Sequence, residues 1–397
     1  MPSPRNVSSL SPEARASWLV LCETLDADSS DSIWSSTSDS SCSSTDDTSS
    51  DDDYEVYAAI SQELFSLPEE RPKVDSYIGT TVSSYSDEEF KRNFRITRPV
   101  ADLLAAEFAN SPHGPKKSDR GGLPAKSPEE HILSFLWYAA NKACIRDVAG
   151  RFEVAESTHQ RMMSRVTLFL LDIAPSVIKF PSDLHKLATD IEQVSRFPDT
   201  IGCVDGSYIS IRCPAGKVRS VCINRHHSLS LTLQGICDKK RFLDVNTGAP
   251  SKMHDSRICR RPRVASVLRQ LCSSVYHIVG DAAYLFREYL LTPIRDYGNL
   301  DCSDRTFNAR LSGTRVLIEN AFGDLKNRFR QVHWFDMGTV DNMSKFIISC
   351  CALHNLCIER EDLPENLSRD MSLSLPTPND NDSMLPATQQ SSGSSGS

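Results

Sequence analysis

No run of about 18 apolar residues occurs anywhere in the 397-residue sequence, so a membrane-spanning helix is not expected. The opening residues, Met1-Pro2-Ser3-Pro4-Arg5, lead into polar sequence with no apolar signal-peptide core, and the expectation is a soluble intracellular protein with no membrane partner. The 13 cysteines form no C-x-x-C pair, which leaves out a zinc ribbon and a thioredoxin-like redox site. A phosphatase would need a nucleophilic Asp or Cys motif, and none is present. Cys203, Cys213 and Cys237 sit instead inside apolar runs, where a reduced thiol behaves as a small hydrophobe. Reduced thiols suit the cytosol or the nucleus.

Basic residues are scarce at both ends. Residues 1–80 contain 16 Asp/Glu against 4 Lys/Arg, and residues 361–397 contribute a further charge of about −5. Since the whole chain carries −8, residues 81–360 are left with about +9. A basic body between acidic ends suits a nucleic-acid partner. Residues 24–53 are almost entirely Ser, Asp and Thr, as in Ser40-Ser41-Cys42-Ser43-Ser44 and Asp51-Asp52-Asp53. Such a stretch buries too little apolar surface to offset its ordering entropy, so 1–80 reads as a disordered acidic tail. It is either a solubilising tail or a phosphorylatable, DNA-mimicking arm. Residues 362–397, rich in Ser, Pro, Asn and Asp, read as a second disordered tail.

Between them, residues 87–180 read as helical. Phe90, Phe94 and Ile96 lead into a short helical segment at Pro99–Leu104, and 110–128 is a Gly/Pro linker. Ser127-Pro128-Glu129-Glu130 combines a cap, a proline at the first helical position and acids in the first turn, which predicts a helix start. Ile132, Leu136 and Ala139 mark its apolar face. A short helix over Ile145–Phe152 follows, and Ser157, with Gln160 three residues on, predicts the opening of a third. There Met163, Val166 and Leu170 share one side, while Thr158, Arg161 and Arg165 share another. Two short helices joined by a tight turn are helix-turn-helix-like, in which case Arg161 and Arg165 would meet DNA. Equally, the three helices could support the larger part of the chain.

From Phe197 the pattern becomes mixed α/β: strands over 200–213, 228–237 and 241–247, a helix over 256–272, a short strand over 275–281 and a helix from about 309 to 330. Asp205 lies inside one apolar strand and Asp281 ends another. A lone buried acid is costly unless it is paired or holds a cation. Two such strands suggest convergence on a metal, with Glu319 completing the set from a helix. Gly206 and Gly280, beside the two acids, would let a ligand approach the backbone. Mg²⁺ and Mn²⁺ prefer oxygen ligands, and two such ions about 3.5–4 Å apart can clamp both sides of a phosphodiester displacement. Asp255 is either a helix cap or a fourth ligand, with His254 or Ser256 then touching the scissile phosphate. Arg315, Lys326 and Arg330 stand at −4, +7 and +11 from Glu319 and fall close to one face. They would grip phosphate, or Arg315 would pair with Glu319 while the others form a solvated stripe.

The order Gly202-Cys203-Val204-Asp205-Gly206, Asn224-Arg225, Cys237-Asp238, His254-Asp255-Ser256 and Gly280-Asp281-Ala282-Ala283-Tyr284 resembles the Harbinger superfamily of DDE transposases. So do Leu291-Thr292-Pro293, Phe307-Asn308, Arg315 with Glu319-Asn320-Ala321-Phe322-Gly323-Asp324-Leu325-Lys326, and Cys351-Ala352-Leu353-His354-Asn355. The likeness runs from about 90 to 360. It implies an RNase H-like DDE nuclease domain over 197–360, a mixed sheet with flanking helices, with the helix-turn-helix-like block before it. It also implies a divalent cation held by Asp205, Asp281, Glu319 and Asp255, DNA strand cleavage in the nucleus, a separate Myb-like DNA-binding partner and self-association. Arg225 would touch DNA. Two departures stand out: His226-His227 follow Asn224-Arg225 where the family shows Asn-Arg-Lys, and Asn246-Thr247-Gly248 stand where a tryptophan is usual. The rival function is a domesticated DNA-binding or adaptor protein without cleavage.

Overall fold

Packing starts earlier, and ends later, than composition suggests. The computed structural model describes residues 74–116, 125–212, 223–224, 228–250, 262–273, 275–335 and 339–362, all within the unit Lys73–Ser397. Tyr77 and Val82, at or beside a π-helical turn over Ile78–Val82, are buried. The Tyr77 ring meets Trp137 and Phe152 edge-on, at 5.8 and 5.5 Å. Tyr77, which composition places within the tail over 1–80, is therefore part of the packed chain. At the other end Asp362, expected in the second tail, is buried and paired.

Among the described residues, six α-helices precede the sheet. Helix α1 (Asp87–Phe94) is opened by a capping box, Ser86 with Glu89, and α2 (Arg98–Asn110) is longer than the short segment expected there. Ser127 and Glu130 form a second capping box at α3 (Pro128–Asn141), as the sequence predicts. Helix α3 buries His131 to Leu136 without a break, so its apolar surface is not one stripe but nearly its whole circumference, which marks a central helix. Helices α4 (Ile145–Arg151) and α5 (Glu156–Val177) follow, then α6 (Leu184–Ser195). Helix α5 begins one residue before the expected Ser157 cap, with Ala155 at the N-cap and no side-chain cap. Val154, buried just upstream, fixes the chain's entry instead.

The sheet has the order β3-β2-β1-β4-β5, with β6 also on β1. Strands β1 (Thr200–Ile211), β2 (Ser230–Cys237) and β3 (Phe242–Pro250) form an antiparallel meander. Helix α7 (Pro262–Cys272) precedes β4 (His277–Val279), which pairs with β1 in parallel, and β5 (Leu290–Leu291) extends that parallel edge. Helix α8 runs over Cys302–Arg328, seven residues longer at its start than expected, because Asp301 and Asp304 make a capping box there. Strand β6 (Trp334–Phe335) and helix α9 (Val340–Glu359) complete the order. The result is a mixed α/β fold with a mixed sheet and flanking helices.

One core joins the helices to the sheet. Phe346 of α9 meets Phe135 and Tyr138 of α3 and Phe335 of β6, with ring centroids 5.3, 5.6 and 5.4 Å away. Burying each such ring contributes about 1.5–3 kcal/mol. Asn355 of α9 adds direction to this apolar contact. Its Oδ1 accepts from Phe242 N, and its Nδ2 donates to Phe242 O and Val177 O, so one amide ties α9 to β3 and to the end of α5. A buried ionic staple does the same for α8. Arg328 donates to Arg95 O and Asp362 O, while the Asp362 carboxylate accepts from Thr97 N and pairs with Lys91 at 3.0 Å. Removing one partner of such a buried set typically costs about 3–5 kcal/mol.

Helix α8 runs along one face of β1. Cys203 Sγ donates to Thr314 O, and further on Lys326 Nζ donates to Ser207 Oγ at 2.7 Å and to Tyr208 O at 2.9 Å. Burial holds the Lys326 ammonium below its ordinary pKa. We expect Lys326→Met to lower stability by about 2 kcal/mol, the scale of a pair of hydrogen bonds from a charged donor, with loss of amide-exchange protection around Ser207 and Tyr208. Unchanged denaturation midpoint and exchange would show that the seam does not need this lysine.

His159 of α5 is buried, neither ring nitrogen has a hydrogen-bond partner among the described residues, and burial lowers its pKa to about 4. The unfolded chain therefore binds the proton more readily. Its contribution is complete above an unfolded pKa of about 6.5 and is lost as pH falls towards and through 4, up to about 3 kcal/mol in all. Denaturant titrations from pH 7 to pH 4 should show a shallower acid decline for His159→Leu than for the unaltered chain. Superimposable slopes would contradict this.

Candidate active site

Parallel pairing brings the two strand acids together. The register Thr200↔His277, Gly202↔Ile278, Cys203↔Val279 ends there, and Asp205 and Asp281 each lie two residues further along their chains. Burial raises the pKa of Asp205 most, and the charge of Asp281 raises it further. Close packing of the strands beneath them needs glycine. A Cβ on Gly280 would come within 3.0 Å of Val204 Cγ1, 3.1 Å of Tyr284 and 3.2 Å of Leu290. The space beside Gly280 is thus filled by protein side chains, a correction to the expectation that it admits a ligand. Tyr284 in turn accepts, through its hydroxyl, a hydrogen bond from Gln234 Nε2 of β2, which fastens the turn after Asp281 to the sheet.

Each acid is oriented by backbone. Asp205 Oδ1 accepts from Gly206 N at 2.7 Å, and Asp281 Oδ1 accepts from Ala283 N at 3.0 Å. Asp205 Oδ2 accepts from Arg315 Nη2 at 3.0 Å. The same nitrogen lies 3.6 Å from Glu319 Oε1, one turn along α8. Arg315 therefore bridges a half-buried strand acid and a helix acid whose side chain is 58% exposed. Glu319 reaches the pair through the arginine: among the described residues no three His, Cys, Asp or Glu side chains are gathered to hold a metal ion. Where the sequence suggests acids converging on a metal, the described residues show Asp205 and Glu319 linked by one guanidinium, with Asp281 near enough for its charge to act on Asp205.

The other candidates separate. Lys326 is turned into the α8–β1 seam, not outward as a phosphate grip. Arg330 lies beyond the end of α8, in a 3₁₀ turn over Arg330–His333, and is exposed. Arg161 and Arg165 are exposed on α5, and Arg161 donates to Thr158 Oγ1, so the polar face read from spacing exists. Its opposite face, with Met163, Val166 and Leu170, is buried. Arg225, His254 and Asp255 lie outside the described residues, as does Cys213.

Several motif residues serve structure. Asp238 forms the β2–β3 turn, its Oδ1 accepting from Lys240 N and Arg241 N. Asn308 holds the segment after β5, exchanging bonds with Ile294 N and O. His354 Nε2 lies 3.0 Å from Lys240 O, and burial pushes its pKa down to about 3. Sequence reasoning overlooked Ser207 and the Asp205 partnership of Arg315. The signal for Ser207 was its place two residues beyond Asp205, on the same strand face.

Residues 204–355 match the family described as DDE superfamily endonuclease. The chain is 26% identical over 302 residues to "Protein ALP1-like" of Arabidopsis thaliana, covering 70% of this chain and 73% of that protein. It is 24% identical over 243 residues to "Putative nuclease HARBI1" of Homo sapiens, covering 59% and 68%, and 22% identical over 285 residues to the Xenopus laevis protein of the same name, covering 70% and 80%. No solved structure matches. Residues 204–355 are thus similar to the DDE superfamily endonucleases, and the matched relatives include nuclease-named proteins.

Proposed function

We propose that the protein is a divalent-metal-dependent DNA endonuclease of the Harbinger transposase-derived type, with an RNase H-like nuclease domain acting in the nucleus. The observation that carries this reading is that Asp205, within β1, and Asp281, two residues past the end of the parallel strand β4, lie near enough for the charge of Asp281 to act on Asp205. DDE superfamily endonucleases are generally divalent-metal dependent. The donors here fit such a cation: the paired groups offer only oxygen, which Mg²⁺ and Mn²⁺ prefer. Charge fits as well, because Asp205, Asp281 and Glu319 together outnumber Arg315 by two formal charges. Asp205 and Asp281 would hold the cation, joined by Glu319 and by Asp255 if they reach it. When bound, the cation supplies a water of lowered pKa and positive charge for the leaving 3′-oxygen.

The chain's own groups do the rest. Backbone N–H bonds from Gly206 and Ala283 aim one oxygen of each acid, so little reorganisation is left for the moment of binding. The Lys326 seam keeps α8, and with it Glu319, in register with β1. DNA is the substrate proposed, with exposed Arg161, Arg165 and Arg330, together with Arg225 and His254, meeting phosphates. A Myb-like partner would add sequence selection, and self-association would pair two such sites. No helix among the described residues is long and apolar enough to cross a membrane.

The rival reading, a DNA-binding descendant that does not cut, draws support from one observation: Glu319 is exposed and outside any preformed cluster. Incubation of the purified full chain with supercoiled plasmid separates the two. Nicking that requires Mn²⁺ or Mg²⁺, stops with EDTA, and falls to the metal-free background in Asp205→Ala and Asp281→Ala is the expected result. DNA retention with no cleavage under either cation would favour the rival.

A further inference from the structure

Arg315 occupies the position a metal-binding cluster can least spare for a cationic side chain. Its Nη2 lies 3.0 Å from Asp205 Oδ2 and 3.6 Å from Glu319 Oε1, so a single nitrogen serves two candidate ligands. The arrangement is not the bidentate fork that makes an arginine–carboxylate pair strong. Nε is buried and has no hydrogen-bond partner among the described residues. A guanidinium held by one nitrogen, with another donor left unsatisfied, is poorly anchored for a structural ion pair. It is well suited to one that opens.

We propose that Arg315 is a built-in counter-ion that occupies the acid cluster when no divalent cation is bound and is displaced from Asp205 when one enters. Three observations carry this inference, which rests on the metal-dependent reading above. Asp205 Oδ1 accepts from Gly206 N and Oδ2 accepts from Arg315, so a cation that takes Oδ2 must compete with the guanidinium. Asp205 is part-buried and the like charge of Asp281 acts on it, so its ionised form is favoured by a positive charge in the absence of metal, which Arg315 supplies at 3.0 Å. Finally, Arg315 has a second acceptor one helical turn away in Glu319, on the more exposed side of α8, so release from Asp205 leaves the guanidinium with somewhere to go. A doubly charged ion beside Asp205 would repel the guanidinium, and the two cannot share one oxygen. The competition sets a threshold: cation affinity is lower than the acids alone would give, and the cluster stays intact without metal.

The test is Mn²⁺ binding by titration calorimetry, together with melting temperature with and without Mn²⁺, for the unaltered full chain, Arg315→Met and Arg315→Gln. Loss of one charge-assisted bond should show as about tenfold tighter Mn²⁺ binding in both variants. Both should melt lower than the unaltered chain without metal, and Mn²⁺ should raise their melting temperatures by more. Arg315→Gln keeps a polar end and serves if Arg315→Met does not fold. Unchanged or weaker Mn²⁺ binding in the variants, with normal binding in the unaltered chain, overturns the counter-ion proposal and leaves the nuclease reading standing. Absence of Mn²⁺ binding in every version overturns both.

Discussion

The parallel pairing of β1 with β4 is the constraint on which the rest of the structure depends. Strands that are far apart in sequence, Thr200–Ile211 and His277–Val279, lie side by side; the first contains Asp205 and the second leads to Asp281 two residues past its end. Without that pairing Asp205 and Asp281 would be two unrelated carboxylates. With it they are neighbours whose repulsion must be balanced by positive charge. The glycine at 280 is part of the same constraint, since any larger residue would push Val204, Tyr284 and Leu290 apart just below the pair. Chemistry at this site is therefore a property of strand register before it is a property of side chains.

Helix α8 adds the second element. It meets β1 through Thr314, Arg315 and Lys326, and its far end is fixed by the buried Arg328–Asp362 contact. Asn355 and Phe346 of α9 tie the sheet to α3 and α5. The helical residues preceding the sheet thus share its core, which is the support role set against the helix-turn-helix in the sequence. A polar arginine face on α5 remains available all the same, because its buried face is on the other side.

Much of this was readable before any coordinates. An acid inside an apolar run is energetically conspicuous, so Asp205 and Asp281 stood out, as did the cap at Ser127. Strand and helix identity followed from period, although boundaries moved where a cap decided them, as at Asp301 and Ala155. Contacts between distant segments were not readable. Nothing local in the sequence records that Lys326 reaches Ser207, that Asp362 is buried beside Arg328, or that Asn355 holds Phe242. Arg315 shows the limit well. Its local partner Glu319, four residues away, could be read from helical spacing, whereas its closer contact with Asp205 exists only because α8 lies along β1.

The most direct measurement is a crystal structure of the full chain grown or soaked with Mn²⁺, with anomalous scattering recorded for the metal. The account predicts an anomalous peak coordinated by both Asp205 and Asp281. A peak elsewhere in the molecule, or two acids that remain metal-free at saturating Mn²⁺, would contradict it.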